Sequence, residues 1–459
     1  MKRFSHLMSV FVAAVLAASV SAAGAARHDI TSFGAQAGGV EPVTEAIQKA
    51  IETAHSAGGG TVVVPSGRWL SGTVFLKSGV TLHLESGATL LASRDESHYT
   101  RGEGEQAPVL IRGHQARGVA ITGRGVIDGQ ARQVMAEPDG IDSFIERETR
   151  IAREAGIDMK RPVTVKPNPC LVLLTECEDV LIEDASFLNS PFWSVHLGNC
   201  ERIHVRNARI ETSTEMGVNA DGLDIDGCRD VRVTGCTITT GDDAICLKST
   251  RHSGGRDCSD IVVTACVLSS TSCALKIGTE THGNFRRIVF SDCVIRNTNR
   301  GLGIFVRDGA EVSDVLFSDI IMECERKHYN WWGDGDPFRF IVLKRQPDSR
   351  LGSIRRVTVS NVIARGQGSS MIAGYPGADR VSEITLRDVR VTLEAESTAD
   401  KRATSGLIIR DAADITLDGL SVRWDDSKGT EPAWDQALCS ERVDRLETRG
   451  CRLDPPPRP

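Results

Sequence analysis

CRDVRVTGCTI, residues 228–238, and CSDIVVTACVL, residues 258–268, are one eleven-residue phrase written twice. Each opens on cysteine, carries apolar residues at its fourth and sixth positions, a second cysteine at its ninth and an apolar residue at its eleventh. Looser copies flank the pair: CEDVLIEDASF from Cys177, CERIHVRNARI from Cys200, FRRIVFSDCVI from Phe285, then VSDVLFSDIIM, IRRVTVSNVIA, VSEITLRDVRV and AADITLDGLSV. Their first apolar residues are Val180, Ile203, Val231, Ile261, Ile288, Val315, Val357, Ile384 and Ile415, at intervals of 23, 28, 30, 27, 27, 42, 27 and 31 residues. Short apolar–polar alternation is the periodicity of strands. Repetition on this scale marks a solenoid or a propeller, and a propeller blade needs about 40 residues for its four strands. Coils of 23 to 31 residues instead suit about three short strands each. The predicted fold is all-β, a right-handed parallel β-helix.

Solenoid ends expose strand edges and need caps. EPVTEAIQKAIETAHSAGGG, from Glu41, reads as an amphipathic helix with Ile47, Ala50, Ile51 and Ala54 on one face, stopped by Gly58, Gly59 and Gly60. It is the expected N-terminal plug, followed at once by the first strands. Two insertions interrupt the repeat: a charged, helix-prone stretch at about 130–168 and a loop at about 325–350 containing HYNWWGDGDPF. Loops grown from a rigid solenoid usually shape one of its faces. The expected organisation is one domain, 27–459, behind a leader, 1–26. That leader has Lys2 and Arg3, an apolar run from Leu7 to Val20 and then small residues, the pattern of a secretory signal peptide. Its apolar run is short for a membrane anchor. Export, to a periplasmic or extracellular place, is expected, with no membrane span in the mature protein.

Thirteen cysteines in an exported chain first point to disulfides. Here Cys177, Cys200, Cys228 and Cys258 share one register, and Cys236, Cys266 and Cys293 another. Cysteines stacked in this way serve as small buried apolar residues more readily than as bridges. The formal charge of −7, or −9 without Lys2 and Arg3, argues against nucleic acid as a partner. Locally the sign reverses. From Lys248 to Arg307 there are nine Lys/Arg and four Asp/Glu, a net of +5 that suits either an acidic ligand or a solvated surface.

TTGDDAICLKS, residues 239–249, raises the functional question. Adjacent carboxylates repel one another and resist burial, yet Asp242 and Asp243 stand at the mouth of a buried strand. Aligning the second strand of each coil stacks Val195, Leu223, Ile245, Leu275 and Leu302. Two residues earlier the stack reads Trp193, Asp221, Asp243, Cys273 and Arg300; one residue later it reads His196, Asp224, Cys246, Lys276 and Gly303. Asp221 and Asp243 are therefore neighbours, with Asp242 beside them and Asp224 nearby. Such a cluster cannot be fully ionised cheaply, and one protonated plus one ionised carboxylate is the equipment of a glycosidase. The same residues also fit a ladder of aspartate turns or a calcium site.

NADGLDIDGC, from Asn219, followed by TTGDDAICLKS, resembles glycoside hydrolase family 28, the polygalacturonase and rhamnogalacturonan hydrolase family. The resemblance extends over most of the mature chain. Carried over, it implies Asp242 as general acid, Asp221 and Asp243 as the residues that activate water, and Asn219 at the first motif position, with Ala220 in place of threonine. The family inverts, which implies no covalent intermediate, no cofactor, no metal, and an acid–base separation wide enough for a water. Two motifs depart from the pattern. Cys273 stands where the family has histidine, and Gly303 and Phe305 stand at the two basic positions of its Arg-Ile-Lys motif, which implies something other than an ordinary polygalacturonase. Lys276, Arg300 and Arg307 are candidates to restore the lost charge, and His282 to replace the histidine; each also fits a plain surface role. Trp331 and Trp332 offer faces for sugar C–H bonds, or anchor their loop. His196, Asp224 and Lys248 complete the candidate binding set.

The expected activity is hydrolysis of a pectin-type polysaccharide or its oligomers. Two rivals stand beside it: a polysaccharide lyase on the same architecture, and a binding solenoid without activity.

Overall fold

The structure is a computed structural model that describes residues 26–102, 107–137, 143–327, 332–427 and 432–457. The leader, apart from Ala26, and Trp331 lie outside these residues. Strands from Arg27 to Leu453 join one continuous sheet wound into right-handed coils; among the described residues only Gln133–Ala136 and Arg161–Thr164 pair apart from it, antiparallel.

The repeat read from the sequence is the winding of the coil. Val180 lies opposite Ile203, and the ladder continues through Val231, Ile261, Ile288, Val315, Val357, Ile384 and Ile415, all buried. A second ladder stacks Phe187, Ile210, Ile238, Leu268 and Ile295. The third carries Val195, Leu223, Ile245, Leu275 and Leu302, as predicted. Burying each such side chain contributes about 1.5–3 kcal/mol. Because side chains alternate with a period of two, a one-residue slip would turn every one of them to solvent.

A bend near the start of the first-ladder strands uses the left-handed backbone that Asp and Asn tolerate. Asp179, Asp230, Asp260, Asp314 and Asp414, each just before the first apolar residue of its coil, have φ between 53° and 61°. Arg202, Arg287, Arg356 and Arg445 occupy the same bend on intervening coils. Cross-coil ion pairs result, with Arg202 on Asp179 at 2.6 Å, Arg287 on Asp260 at 2.6 Å and Arg356 on Asp314 at 2.7 Å. Exposed pairs of this kind contribute up to about 1 kcal/mol each, so the apolar ladders hold the fold and these pairs pin its register.

All thirteen cysteines are free, and eleven of them are buried. The first stack sits close enough that the Cys177 amide donates to Cys200 Sγ at 3.4 Å and the Cys200 amide to Cys228 Sγ at 3.2 Å. Helix α1 (Thr44–Ser56) buries Ala46, Ile47, Ala50, Ile51 and Ala54 against the first strands, as the cap requires. The insertion near 130–168 contains a second helix, α2 (Ser143–Glu154). No helix among the described residues is long and apolar enough to cross a membrane.

Inside the coils that follow the aspartates, Phe290, Phe317 and Phe340 stack with ring centroids 4.9 Å and 5.6 Å apart. Phe317→Ala removes the middle ring of a close-packed column and is expected to cost about 3–5 kcal/mol. Urea denaturation checks this; a loss below about 1 kcal/mol contradicts the packing described.

Candidate active site

Asp221 and Asp243 stand at the entrance of successive strands, Leu223–Asp226 and Ile245–Ser249. Backbone bonds run from coil to coil at this edge: the Ser194 amide donates to the Asp221 carbonyl, Gly222 to Asp243, and Ala244 to Cys273. Successive coils are about 4.8 Å apart, so the row Trp193, Asp221, Asp243, Cys273, Arg300 is a physical ridge. Asp336 extends it, opposite Arg300. Asp221, Asp242 and Asp243 each bring one oxygen within 4.8 Å of the others. They are 3%, 7% and 1% exposed, so the cluster is almost dry.

Different neighbours hold the three acids in different states. Asp242 accepts from the Asp243 amide at 2.9 Å and from the Asn219 amide at 3.2 Å. Asn219 itself turns in the left-handed region, φ 55°. Burial and then the Asp243 charge push Asp242 up to about 6. Asp243 accepts from Ser272 Oγ at 2.7 Å and from Lys276 Nζ at 2.5 Å. Burial alone would raise it, but the Lys276 and Lys248 ammonium groups and these hydrogen bonds outweigh burial and hold it below the usual carboxylate range. Asp221 is pushed well up by burial and by Asp224 and Asp242. Burial raises Asp224 to about 7 against the pull of Lys248. One ionised carboxylate thus faces others that keep protons to higher pH.

Lys248 threads between these groups. Its Nζ lies 3.7 Å from Asp221, 3.6 Å from Asp224 and 3.5 Å from Glu280, and 4.7 Å from the centre of the Trp193 ring. His196 Nε2 is 3.2 Å from Asp226, which Thr250 also holds through its hydroxyl at 2.6 Å. Ser272, Asp226, Glu280 and Trp193 were not in the predicted set. Asp226 had a signal, since it shares the outward face of its strand with Asp224. Ser272 had one too, standing immediately before Cys273 as Asp242 stands before Asp243. Glu280 had none.

The candidates for the missing basic motif separate clearly. Lys276 joins the cluster. Arg300 is consumed by a buried pair with Asp336, 2.6 Å away, and lies 4.8 Å from the Phe305 ring. Arg307 follows the strand Arg300–Val306, seven residues and about 20 Å along from the ridge; its amide donates to Thr281 Oγ1. His282 likewise lies beyond the far end of its strand, 4.0 Å from Asp308 rather than beside the aspartates. Arg300, Arg307 and His282 are therefore corrected as stand-ins for the family's charge and histidine. Trp332 is 39% exposed on the inserted loop.

The expected separation of acid and base is one wide enough for a water. One oxygen from each of the three acids lies within 4.8 Å of the others. They leave room for one water hydrogen-bonded to two carboxylates at about 2.7 Å each. The same oxygens have the closeness of a cation site, while Lys276 and Ser272 already bond the two oxygens of Asp243.

Paired acids of unequal proton affinity are the equipment that glycosidic bond cleavage requires. The family model of glycosyl hydrolases family 28 matches residues 56–327, and the chain belongs to that family of glycoside hydrolases. It is 28% identical over 398 residues to a probable polygalacturonase of Vitis vinifera, covering 80% of this chain and 74% of that protein. An endo-polygalacturonase of Pectobacterium carotovorum is 23% identical over 370 residues, covering 77% and 85%. The structure of a hyperthermoactive exopolygalacturonase from Thermotoga maritima superposes with a TM-score of 0.66 at 24% identity, over 87% of this chain and 92% of that one, which establishes the fold.

Lys276→Met removes the cation beside Asp243 and keeps the side chain's apolar length. The Asp243 carboxyl should then rise, so the acidic limb of the pH–rate profile moves to higher pH and the maximal rate falls at least about tenfold. A profile with an unmoved acidic limb would remove Lys276 from the machinery.

Proposed function

We propose that this enzyme hydrolyses a pectin-type polysaccharide or its oligomers, and that plain homogalacturonan is not its preferred backbone. Asp242 donates a proton to the leaving oxygen, while Asp221 and Asp243 hold the attacking water and Asp243, the ionised one, takes its proton. The observation that carries the assignment is the asymmetry of the cluster: Asp243 is held ionised by Lys276 and Ser272, and Asp242, without a lysine of its own, keeps its proton to about 6. The names of the relatives support a pectic substrate.

Gly303 and Phe305 argue for a modified or branched backbone, such as rhamnogalacturonan. They leave no side-chain cation at the family's two basic positions. The Phe305 ring folds back over Gly303, where a Cβ would come within 2.8 Å of it. Lys248 and Lys276, the cations nearest the acids, are already engaged by carboxylates. A uronate carboxylate beside the scissile bond would find less compensation here than in the family pattern. We read Asn219, Asp224, His196, Lys248 and Trp332 as groups that line or orient the substrate, and the enzyme as exported, from its leader sequence.

Retention is the rival stereochemical outcome, in which one carboxylate attacks the sugar directly. Inversion follows from the water-holding pair. Proton NMR of the first-formed anomer separates them, with inversion expected.

Two outcomes test the assignment. Asp242→Asn should fold as the wild type does and lower turnover by at least about a thousandfold; near-normal turnover contradicts its role as acid. The wild-type rate should fall as pH rises through about 6, where Asp242 loses its proton, and fall again below the usual aspartate range, where Asp243 gains one. Reducing-end release from homogalacturonan, rhamnogalacturonan and their oligomers identifies the backbone, and a preference for homogalacturonan overturns the reading of Gly303 and Phe305.

A further inference from the structure

Two segments from opposite ends of the solenoid meet beside the acids. The first is the insertion that leaves the coil after Asp128. Its base is the hairpin of Gln133–Ala136 with Arg161–Thr164, and its outer part is α2. The second is the stretch before the strand Ser405–Asp418, which carries Asp400 and Arg402. Glu148 of α2, whose side chain is 1% exposed, accepts from Arg402 at 2.8 Å across 254 residues of sequence. Arg402 also bonds Asp334 at 2.9 Å and Asp400 at 2.8 Å. Asp334 lies in the inserted loop just before the ridge residue Asp336, and Arg326 ties back to Asp400 at 2.8 Å.

All these segments occupy one turn, the one entering the ladder that bears Asp221 and Asp243. The insertion leaves the solenoid one coil before Trp193 and is tied down at Asp334, beyond Arg300. Six coil steps separate those levels, about 29 Å, and the aspartates lie between them. The contact from Glu148 through Arg402 to Asp334 bridges those levels. The insertion is thus an arm along the acid-bearing edge, fastened at Glu148 in the middle of α2 by a Glu–Arg–Asp junction in which Glu148 is buried and Arg402 and Asp334 are part-buried. Breaking it from the Arg402 side leaves the Glu148 carboxylate buried and charged, which is costly.

We infer that this arm, latched by Glu148, Arg402 and Asp334, confines the site to chain ends and short oligomers and excludes the interior of long chains. The inference rests on the pectic hydrolase reading above. A chain end can be threaded beside a wall; an internal linkage needs the wall absent over several sugars on each side.

The test compares viscosity loss with reducing ends released, on the backbone the wild type cleaves. Replacing residues 134–163 by Asn-Gly closes the hairpin at Gln133 and Thr164 with a two-residue turn and removes the arm. Arg402 keeps Asp334 and Asp400. Glu148→Gln keeps the arm and its shape but takes the charge from the latch. Wild type should release small products with little viscosity loss. Without the arm, viscosity loss per reducing end should rise at least fivefold, and Glu148→Gln should fall between. Folded variants with the wild-type ratio, or a wild type that itself cuts internally, overturn the inference. Oligomer turnover is the control: a folded wild type inactive on every pectic oligomer overturns the substrate reading, and this inference with it.

Discussion

Parallel stacking in register is the constraint from which the rest follows. A coil of this solenoid sets every position about 4.8 Å from its equivalent on the next coil. Apolar positions then form continuous ladders, which is how short strands acquire a core. The same geometry acts on polar positions without regard to charge. Asp221 and Asp243 are neighbours for the reason that Leu223 and Ile245 are neighbours. A fold that makes a core by repetition concentrates like charges wherever the repeat carries them.

The chain answers that concentration with lysines set on the same outward face. Lys248 lies among Asp221, Asp224 and Glu280, and Lys276 sits on Asp243. These are different jobs. Lys248 shares one positive charge among several acids, which lowers the cost of the group without assigning a proton to any member. Lys276, with Ser272, singles out Asp243. Acid–base chemistry needs the second kind of neighbour, because a symmetric cluster has no defined donor and acceptor. Cys273, where the family has histidine, is buried and pushed above its usual thiol range by burial and the Asp243 charge. It contributes no charge at the ridge, and Lys276, three residues along the same strand, supplies the cation.

How much of this the sequence disclosed depends on whether a residue's partner lies on a neighbouring coil. The ladder from Val180 to Ile415, the carboxylate ridge and the capping helix were legible, because each is a pattern with a period. Arg300 was misread because Asp336 enters the ridge only after the irregular loop in the 42-residue interval, where the repeat no longer gives the register. Arg307 and His282 were misread because alignment gives register across coils but not distance along a strand; both sit past the strand ends opposite the acids. The arm was legible as an insertion and not as a wall. Nothing in SFIERETRIAREAG says that Glu148 meets an arginine 254 residues away.

Repetition also limits what the acid cluster does to the whole molecule. In a solenoid each coil touches only its neighbours, so stability is close to a sum of local contributions. The unfavourable burial of Asp221, Asp224, Asp242 and Asp243 falls on two consecutive coils. Beyond them the Phe290, Phe317 and Phe340 column packs the interior without a polar atom, and the buried cysteine stack from Cys177 to Cys258 runs alongside them. The groove can therefore keep carboxylates in states that a compact two-layer domain would have to relax or neutralise. What the coils cannot supply is enclosure, since a solenoid face is open along its length. Enclosure has to come from segments that leave the repeat, which is why the arm and the loops at Asp334 and Arg402, rather than any strand, govern how much of a chain the acids can reach.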